Sequence, residues 1–184
     1  MESPIKVFSN WVLSGKDEGM EKNHSASVEN MIEYSTKGID NYSFIDAGCG
    51  NGWVVRGISS DPRCKQAIGV DGSIQMIEKA KRLDKKNNYF CSDLLDWNPK
   101  EKVDIVHSME VFYYFKNPQR IINRLIESLN ESGVLIIGID HYSENIPSLN
   151  WDKEYNISTN TMSIKDWKAL FVNAELDNII KFVA

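Results

Sequence analysis

A short apolar run, Phe44-Ile45, ends on Asp46 and passes at once into Ala47-Gly48-Cys49-Gly50-Asn51-Gly52-Trp53. Three glycines at alternate positions after a strand-like run predict a tight turn whose backbone a ligand can approach closely. The next apolar run, 67–70, ends in Asp71, about twenty residues on, the offset at which a second parallel strand returns beside the first. An acid there can accept hydrogen bonds from both hydroxyls of a ribose. This pattern constrains the chain to a parallel sheet with a nucleotide-like pocket at its strand tips.

Two ligands compete for such a pocket. A dinucleotide fingerprint needs Gly-x-Gly-x-x-Gly, with the third glycine letting the helix pack on the strand and the turn aiming amides at a pyrophosphate. Counted from Gly48, the third glycine falls on Trp53. Asp46 also stands where the pyrophosphate would lie, and a like-charge contact at ~4 Å costs about 4 kcal/mol at an effective dielectric near 20. The same carboxylate favours a ligand carrying a sulfonium and an ammonium group. Charge therefore favours the sulfonium ligand S-adenosylmethionine over a dinucleotide.

A third acid agrees with this choice. The run Asn88-Tyr89-Phe90-Cys91-Ser92-Asp93 reads as another short strand, and Asp93 just beyond it can accept from an adenine amino group, with Asp96 close enough to take that role instead. Asp46, Asp71 and Asp93 then stand at the carboxyl ends of neighbouring strands, where open α/β sheets bind ligands. Asp-Ala-Gly-Cys-Gly-Asn-Gly, then Gly-Val-Asp-Gly-Ser, Cys-Ser-Asp-Leu and Val-Asp-Ile-Val-His-Ser-Met-Glu-Val together resemble the ordered motifs of the class I S-adenosylmethionine-dependent methyltransferases, including the type 11/12-like members. The resemblance covers roughly residues 24 to 140.

That resemblance implies an α/β, Rossmann-like doubly wound fold with a mostly parallel sheet of order 3-2-1-4-5 and a C-terminal edge strand. The family's usual seventh strand has no residues left to build it. Residues 176–183 read as the sixth strand. The resemblance also implies cofactor contacts from Asp46, Gly48, Gly50, Asn51, Gly52, Asp71, Gly72, Ser73, Met76, Asp93 and Leu94. In the family, the segment after strand four passes beneath the methionine part of the cofactor, which makes Ser108 and Met109 contacts and turns Tyr113 and Tyr114 toward the acceptor. His141, next to Asp140 after the fifth strand, is a candidate base oriented by that acid. His107 reads as a structural histidine, and His24 is a more distant candidate.

Strands and helices alternate after the glycine turn, which predicts helices on both faces of the sheet. Strands are expected at 43–47, 67–70, 88–91, 103–107 and 134–139. Ser73 can cap a helix carrying Ile74, Ile77, Ala80 and Lys81, with Met76 and Leu83 on its flank. Asn117-Pro118 is a helix start, followed by the apolar stripe Ile121, Ile122, Leu125, Ile126 and Leu129, and Glu131-Ser132-Gly133 reads as a turn. Ser163 to Asp166 resembles a capping box. Residues 1–23 show no clear periodicity and are expected to form a lid or short helix near the cofactor. Residues 140–162 form a long polar connection expected to shape the substrate side.

With 184 residues and 42% hydrophobic content, the chain is read as one domain, 1–184. A formal charge of −5 gives no general attraction to nucleic acid or anionic membrane. Lys79, Lys81, Arg82, Lys85 and Lys86 read as the solvated face of one helix. No apolar run approaches the ~20 residues of a membrane span, and no signal-peptide pattern opens the chain. Cys49, Cys64 and Cys91 lack metal-ligand spacing, Asp104 and Asp152 complete no metal set, and no metal is expected. Reduced thiols fit a cytoplasmic protein.

The expected chemistry is in-line displacement at a sulfonium methyl, giving S-adenosylhomocysteine. Orientation alone contributes roughly 7–11 kcal/mol to such a reaction. The Asp/Asn-Pro-Pro-Tyr/Phe motif of base-amino methyltransferases is missing after strand four, and Glu110 stands alone where arginine methyltransferases carry a glutamate pair. A small organic acceptor is expected. The rival readings are a nicotinamide-dependent oxidoreductase, disfavoured by Trp53 and Asp46, and a non-catalytic S-adenosylmethionine-binding protein.

Overall fold

The computed structural model describes residues 1–174, 176 and 178–181. Five strands form one sheet: β1 (Tyr42–Ala47), β2 (Cys64–Asp71), β3 (Asn88–Cys91), β4 (Val103–Met109) and β5 (Leu129–Gly138). Their order is β3-β2-β1-β4-β5, and every neighbouring pair is parallel. The order reverses between β1 and β4, which opens a crevice at their carboxyl ends.

Strand β1 is buried along its whole length, as expected of a central parallel strand covered on both faces. Successive side chains alternate faces: Phe44 and Ile105 join the cluster with Val28, Met31, Val55 and Ile77, while Ile45 and Val106 join Phe112, Ile121, Leu125 and Trp167. The first layer is supplied by α2 (Gly19–Ser35), α3 (Trp53–Ile58) and α4 (Ile74–Leu83), the second by α5 (Pro118–Ile126) and α7 (Ile164–Val172).

Local signals place several helix ends. Ser73 accepts from the Met76 amide at 3.3 Å, capping α4 as its sequence predicts. In α4 it is Met76, Ile77 and Ala80 that are buried, whereas Ile74 and Leu83 face outward; the apolar stripe is rotated toward Met76. The capping box of α7 is complete, with Asp166 N to Ser163 Oγ at 3.1 Å and Ser163 N to Asp166 Oδ2 at 3.3 Å. Pro118 opens α5, although the Asn117 side chain makes no capping bond.

Two expectations are revised, the turn at 131–133 and the C-terminal edge strand, while the short helix expected within residues 1–23 is present. Glu131-Ser132-Gly133 is not a turn but part of β5, where the register jumps from Val103↔Leu129 to Ile105↔Val134 and the extra residues bulge out. Residues 1–23 hold an ordered helix, α1 (Pro4–Ser14), with Ser3 as its cap, Pro4 in the first turn and Gly15 left-handed at its end. The edge strand expected at 176–183 is absent from Leu176 and 178–181, which carry no strand; residues 177, 182 and 183 lie outside the described residues. The 140–162 connection carries a 3-10 turn (Ile146–Asn150) and α6 (Trp151–Glu154), and Ile157 bridges Glu2 near the start of the chain.

Candidate functional site

A cavity of about 750 Å³ lies over the carboxyl ends of the strands. Its β1–β2–β3 half is lined by Gly48, Gly50, Asp71, Gly72, Met76, Asp93 and Leu94, and its β4–β5 half by Met109, Glu110, Tyr113, Tyr114 and Asp140. Ile5, Phe8 and Trp11 of α1, Met20 and His24 of α2, and Trp151 and Tyr155 close the remaining sides.

The glycine turn has a packing cause besides ligand approach. Gly48 has φ +83°, and a Cβ there would meet Val111 Cγ2 at 2.3 Å; Gly52 has φ +80°, and its Cβ would meet Tyr89 Cε1 at 2.6 Å. Side chains at these positions fail on conformation and on space together. The turn hangs on β2, because the Gly48 and Cys49 amides both donate to the Val70 carbonyl, at 2.8 and 3.0 Å.

Asp71 is the organising acid. One oxygen accepts from Gly50 N at 3.0 Å, the other from Ser73 N at 2.7 Å. Burial pushes its carboxyl up, opposed by those two amides, and the nearby Asp46 charge adds to the rise. A carboxylate has about four lone-pair sites, so Asp71 keeps acceptor capacity toward the cavity it lines.

Asp93 and Leu94 line the same half; Asp93 Oδ1 accepts from Leu95 N at 2.8 Å. Met109, at the end of β4, lines the other half.

Six of the residues singled out in the sequence lie behind this surface. Asp46 is buried and bonded through Oδ1 to His107 Nδ1 at 2.8 Å, so it acts on the cavity through its field rather than by contact. Ser108 donates to the Ala47 carbonyl at 2.7 Å, and Ser73 is occupied with α4 and with Ser9 Oγ at 2.8 Å. Asn51 donates to Asp17 Oδ2 at 2.9 Å, while Gly52 packs against Tyr89. His141 is fully buried. Its Nδ1 is paired with the Ser148 carbonyl at 3.0 Å and its Nε2 with Thr161 Oγ1 at 2.8 Å. With both ring nitrogens engaged away from the cavity, His141 fastens the 140–162 segment and is not placed to take an acceptor's proton.

Glu110 is the residue that spacing did not single out. It follows β4 directly in a left-handed conformation, φ +60°, and its amide is tied to the Gly138 carbonyl at 3.0 Å. Its Oε1 accepts from Asp140 N at 2.6 Å and its Oε2 from Tyr113 Oη at 2.8 Å. Tyr114 Oη donates to Tyr113 Oη at 3.2 Å. Burial first, then the Asp140 charge, push the Glu110 carboxyl up to about 8, against the hydrogen bonds from Tyr113 and Asp140. Burial likewise pushes Tyr113 up and His24 down. Among the described residues, no group of three or more His, Cys, Asp and Glu side chains is arranged to hold a metal ion.

A glycine turn and a paired acid at the switch point of a 3-2-1-4-5 sheet define a nucleotide-type cofactor fold. A family model described as a methyltransferase domain matches residues 20–180, and the chain belongs to that family. It is similar to the trans-aconitate 2-methyltransferase of Rhizobium rhizogenes (strain K84), 32% identical over 93 residues, 50% of this chain and 36% of that protein. It is also similar to the carboxy-S-adenosyl-L-methionine synthase of Ruthia magnifica, 32% identical over 120 residues, 60% of this chain and 51% of that one. The chain thus spans between about a third and a half of these relatives' lengths.

Many solved structures share the fold, two of them as follows. One is a complex between the Haloferax volcanii Trm112 methyltransferase activator and a putative methyltransferase, with TM-score 0.84 and 23% identity over 99% of this chain and 85% of that chain. The other is the N-methyltransferase NodS of Bradyrhizobium japonicum with S-adenosyl-L-homocysteine, with TM-score 0.62 and 16% identity over 79% and 71% of the two chains.

Proposed function

We propose that this chain binds S-adenosylmethionine and transfers its methyl group to a small organic acceptor. The placement of Asp71 carries this reading: a carboxylate at the tip of β2, fixed by the Gly50 and Ser73 amides while lining the cavity. Asp71 would hold the ribose and Asp93 the adenine amino group, with Met76 and Leu94 against the base. Gly48 and Gly50 leave the backbone open to the amino-acid part. The cavity fits a cation-bearing ligand, because Asp46, Asp71 and Asp93 gather at the strand tips and Trp53 stands where a pyrophosphate turn needs glycine. When bound, the cofactor supplies a methyl group made electrophilic by its sulfonium charge.

The chain's own contribution is orientation and exclusion of water. Residues 1–23 act as a lid, and residues 140–162 as a substrate-side insert. Ile5 lies over Gly72 and Met20 over Gly50, so α1 and the start of α2 cover the turn. Asp17 fastens this cover, being paired with Lys79 Nζ at 2.7 Å and with Asn51. The whole described chain then works as one domain.

Thermal-shift and calorimetric titration with S-adenosylmethionine, S-adenosylhomocysteine and NAD test the cofactor. Binding of NAD without the sulfur ligands would sink the reading. Release of S-adenosylhomocysteine against a panel of metabolites separates an enzyme from a mere binder. Because the Haloferax neighbour was solved with an activator, the turnover assay is run both with the chain alone and with a Trm112 protein added.

A further inference from the structure

The geometry points to a cationic amine as the acceptor. This inference rests on the methyltransferase reading and narrows its substrate class. Three properties support it, two belonging to the acids of the β4–β5 half of the cavity and one to the aromatic wall that meets that half at Tyr114.

The first is charge. Glu110 and Asp140 both line this half, joined through the Asp140 amide at 2.6 Å. Among the described residues, the Asp140 carboxylate itself has no hydrogen-bond or ion-pair partner. Two acids sharing a partly dry pocket repel one another, and burial and Asp140 together hold the Glu110 carboxyl far above its ordinary range. A cation seated between them relieves both penalties. Among the described residues no fixed cation does so. Lys16 is the one lysine or arginine among the lining residues, and it adjoins Asp17, which is bonded to Asn51 in the glycine turn at the other end. His24 feels the Asp140 charge, which favours its protonated form, but burial outweighs this and holds it toward the neutral form.

The second property is the wall. Tyr114, Phe8, Trp11 and Tyr155 form a continuous row of edge-to-face rings, with successive centroids 5.5, 5.0 and 5.5 Å apart. All four line the cavity. They come from the segment after β4, from α1 and from the end of α6, so the fold gathers them from three distant parts of the chain. Aromatic faces attract ammonium groups and receive apolar bodies equally well.

The third is proton handling. An alkylammonium has no free electron pair until it loses a proton. With no cation beside it, Glu110 holds a proton near neutral pH; an ammonium seated there favours the ionised form, in which each oxygen accepts one protein hydrogen bond and keeps further acceptor capacity. The proton passes from nitrogen to a Glu110 oxygen, leaving a neutral amine and a neutral carboxylic acid. The nitrogen pair is then available to a methyl group, and no further reactant is needed.

The test uses the full chain saturated with S-adenosylhomocysteine, whose own affinity is measured first. Phenethylamine, phenethyl alcohol and phenylacetate share a ring and differ in charge, and each is titrated calorimetrically near pH 7. The amine is expected to bind at least about tenfold more tightly than the alcohol, with phenylacetate weakest. Asp140→Asn and Glu110→Gln are each expected to shrink that preference while S-adenosylhomocysteine still binds. Equal binding of alcohol and amine, tighter binding of phenylacetate, no saturable amine binding, or a preference untouched in the double variant overturns the inference. Failure of S-adenosylhomocysteine to bind, with the amine preference intact, removes the cofactor reading and leaves the charge inference standing.

Discussion

Asp71 is an acid with a structural task that also lines the cavity. It holds two backbone amides, at 2.7 and 3.0 Å, and still faces the cavity. The structural role alone explains its position, and the proposed ribose contact uses the acceptor capacity that remains. Asp71→Asn keeps the shape and removes the charge. Since hydrogen bonds to charged groups contribute roughly 1.5–3 kcal/mol each, S-adenosylhomocysteine affinity should fall about tenfold to a hundredfold by calorimetry. An unchanged affinity would remove Asp71 from the cofactor site. Gly48→Ala tests packing at the same turn. Its Cβ would meet Val111 at 2.3 Å in a left-handed backbone, and a loss of about 1–3 kcal/mol in urea unfolding is expected. The Asp71 position was legible in the sequence, because a strand-end acid at a fixed offset from a glycine turn leaves few alternatives. The partner of Asp46 was not legible, because β1 and β4 are brought together by a crossover and His107 lies 61 positions along the chain.

At the scale of elements, ends were more legible than interiors. Ser73, Pro118 and the Ser163–Asp166 box mark helix starts by chemistry confined to one turn, and each marks one here. Ser163→Ala is expected to cost about 1 kcal/mol of stability, read by thermal or urea unfolding. Helix α1 carries equally local signals, Ser3-Pro4 at its start and Gly15 at its end, and Val7, Phe8 and Trp11 recur at helical spacing on the face that lines the cavity, a period too short to stand out across residues 1–23. Helix α2 buries only Val28, Met31 and Ser35 of its 17 residues, too few for a visible stripe. The cover these helices form hangs on Asp17, which is wholly buried against Lys79 and Asn51. Asp17→Ala leaves the largely buried Lys79 ammonium without its closest carboxylate. Breaking such a pair costs about 3–5 kcal/mol in buried settings. A lowered melting temperature together with faster S-adenosylhomocysteine dissociation in stopped flow is the expected result.

For the whole molecule, Glu110 makes stability depend on pH. Its carboxyl titrates near 8 in the fold against an ordinary 4.5. Between those values the folded chain keeps a proton that the unfolded chain has released, so stability falls as pH rises through this window and levels off above it. The slope contributed by one proton approaches about 1.4 kcal/mol per pH unit. The raised Asp71 carboxyl acts in the same direction. Urea unfolding from pH 5 to 8 should show the decline, and Glu110→Gln should flatten it; an unaltered slope would dismiss Glu110 as its source.

The sequence by itself determined the parallel sheet, the crevice end and the acids at its strand tips, because strand periodicity, glycine spacing and strand-end charges are all local. The tertiary structure alone decided which of these side chains reach the cavity. It turned His141 inward onto Ser148 and Thr161, and it brought Glu110, Asp140 and the aromatic row to one place. Contacts between residues far apart in the chain depend on how layers pack, and no local pattern records that.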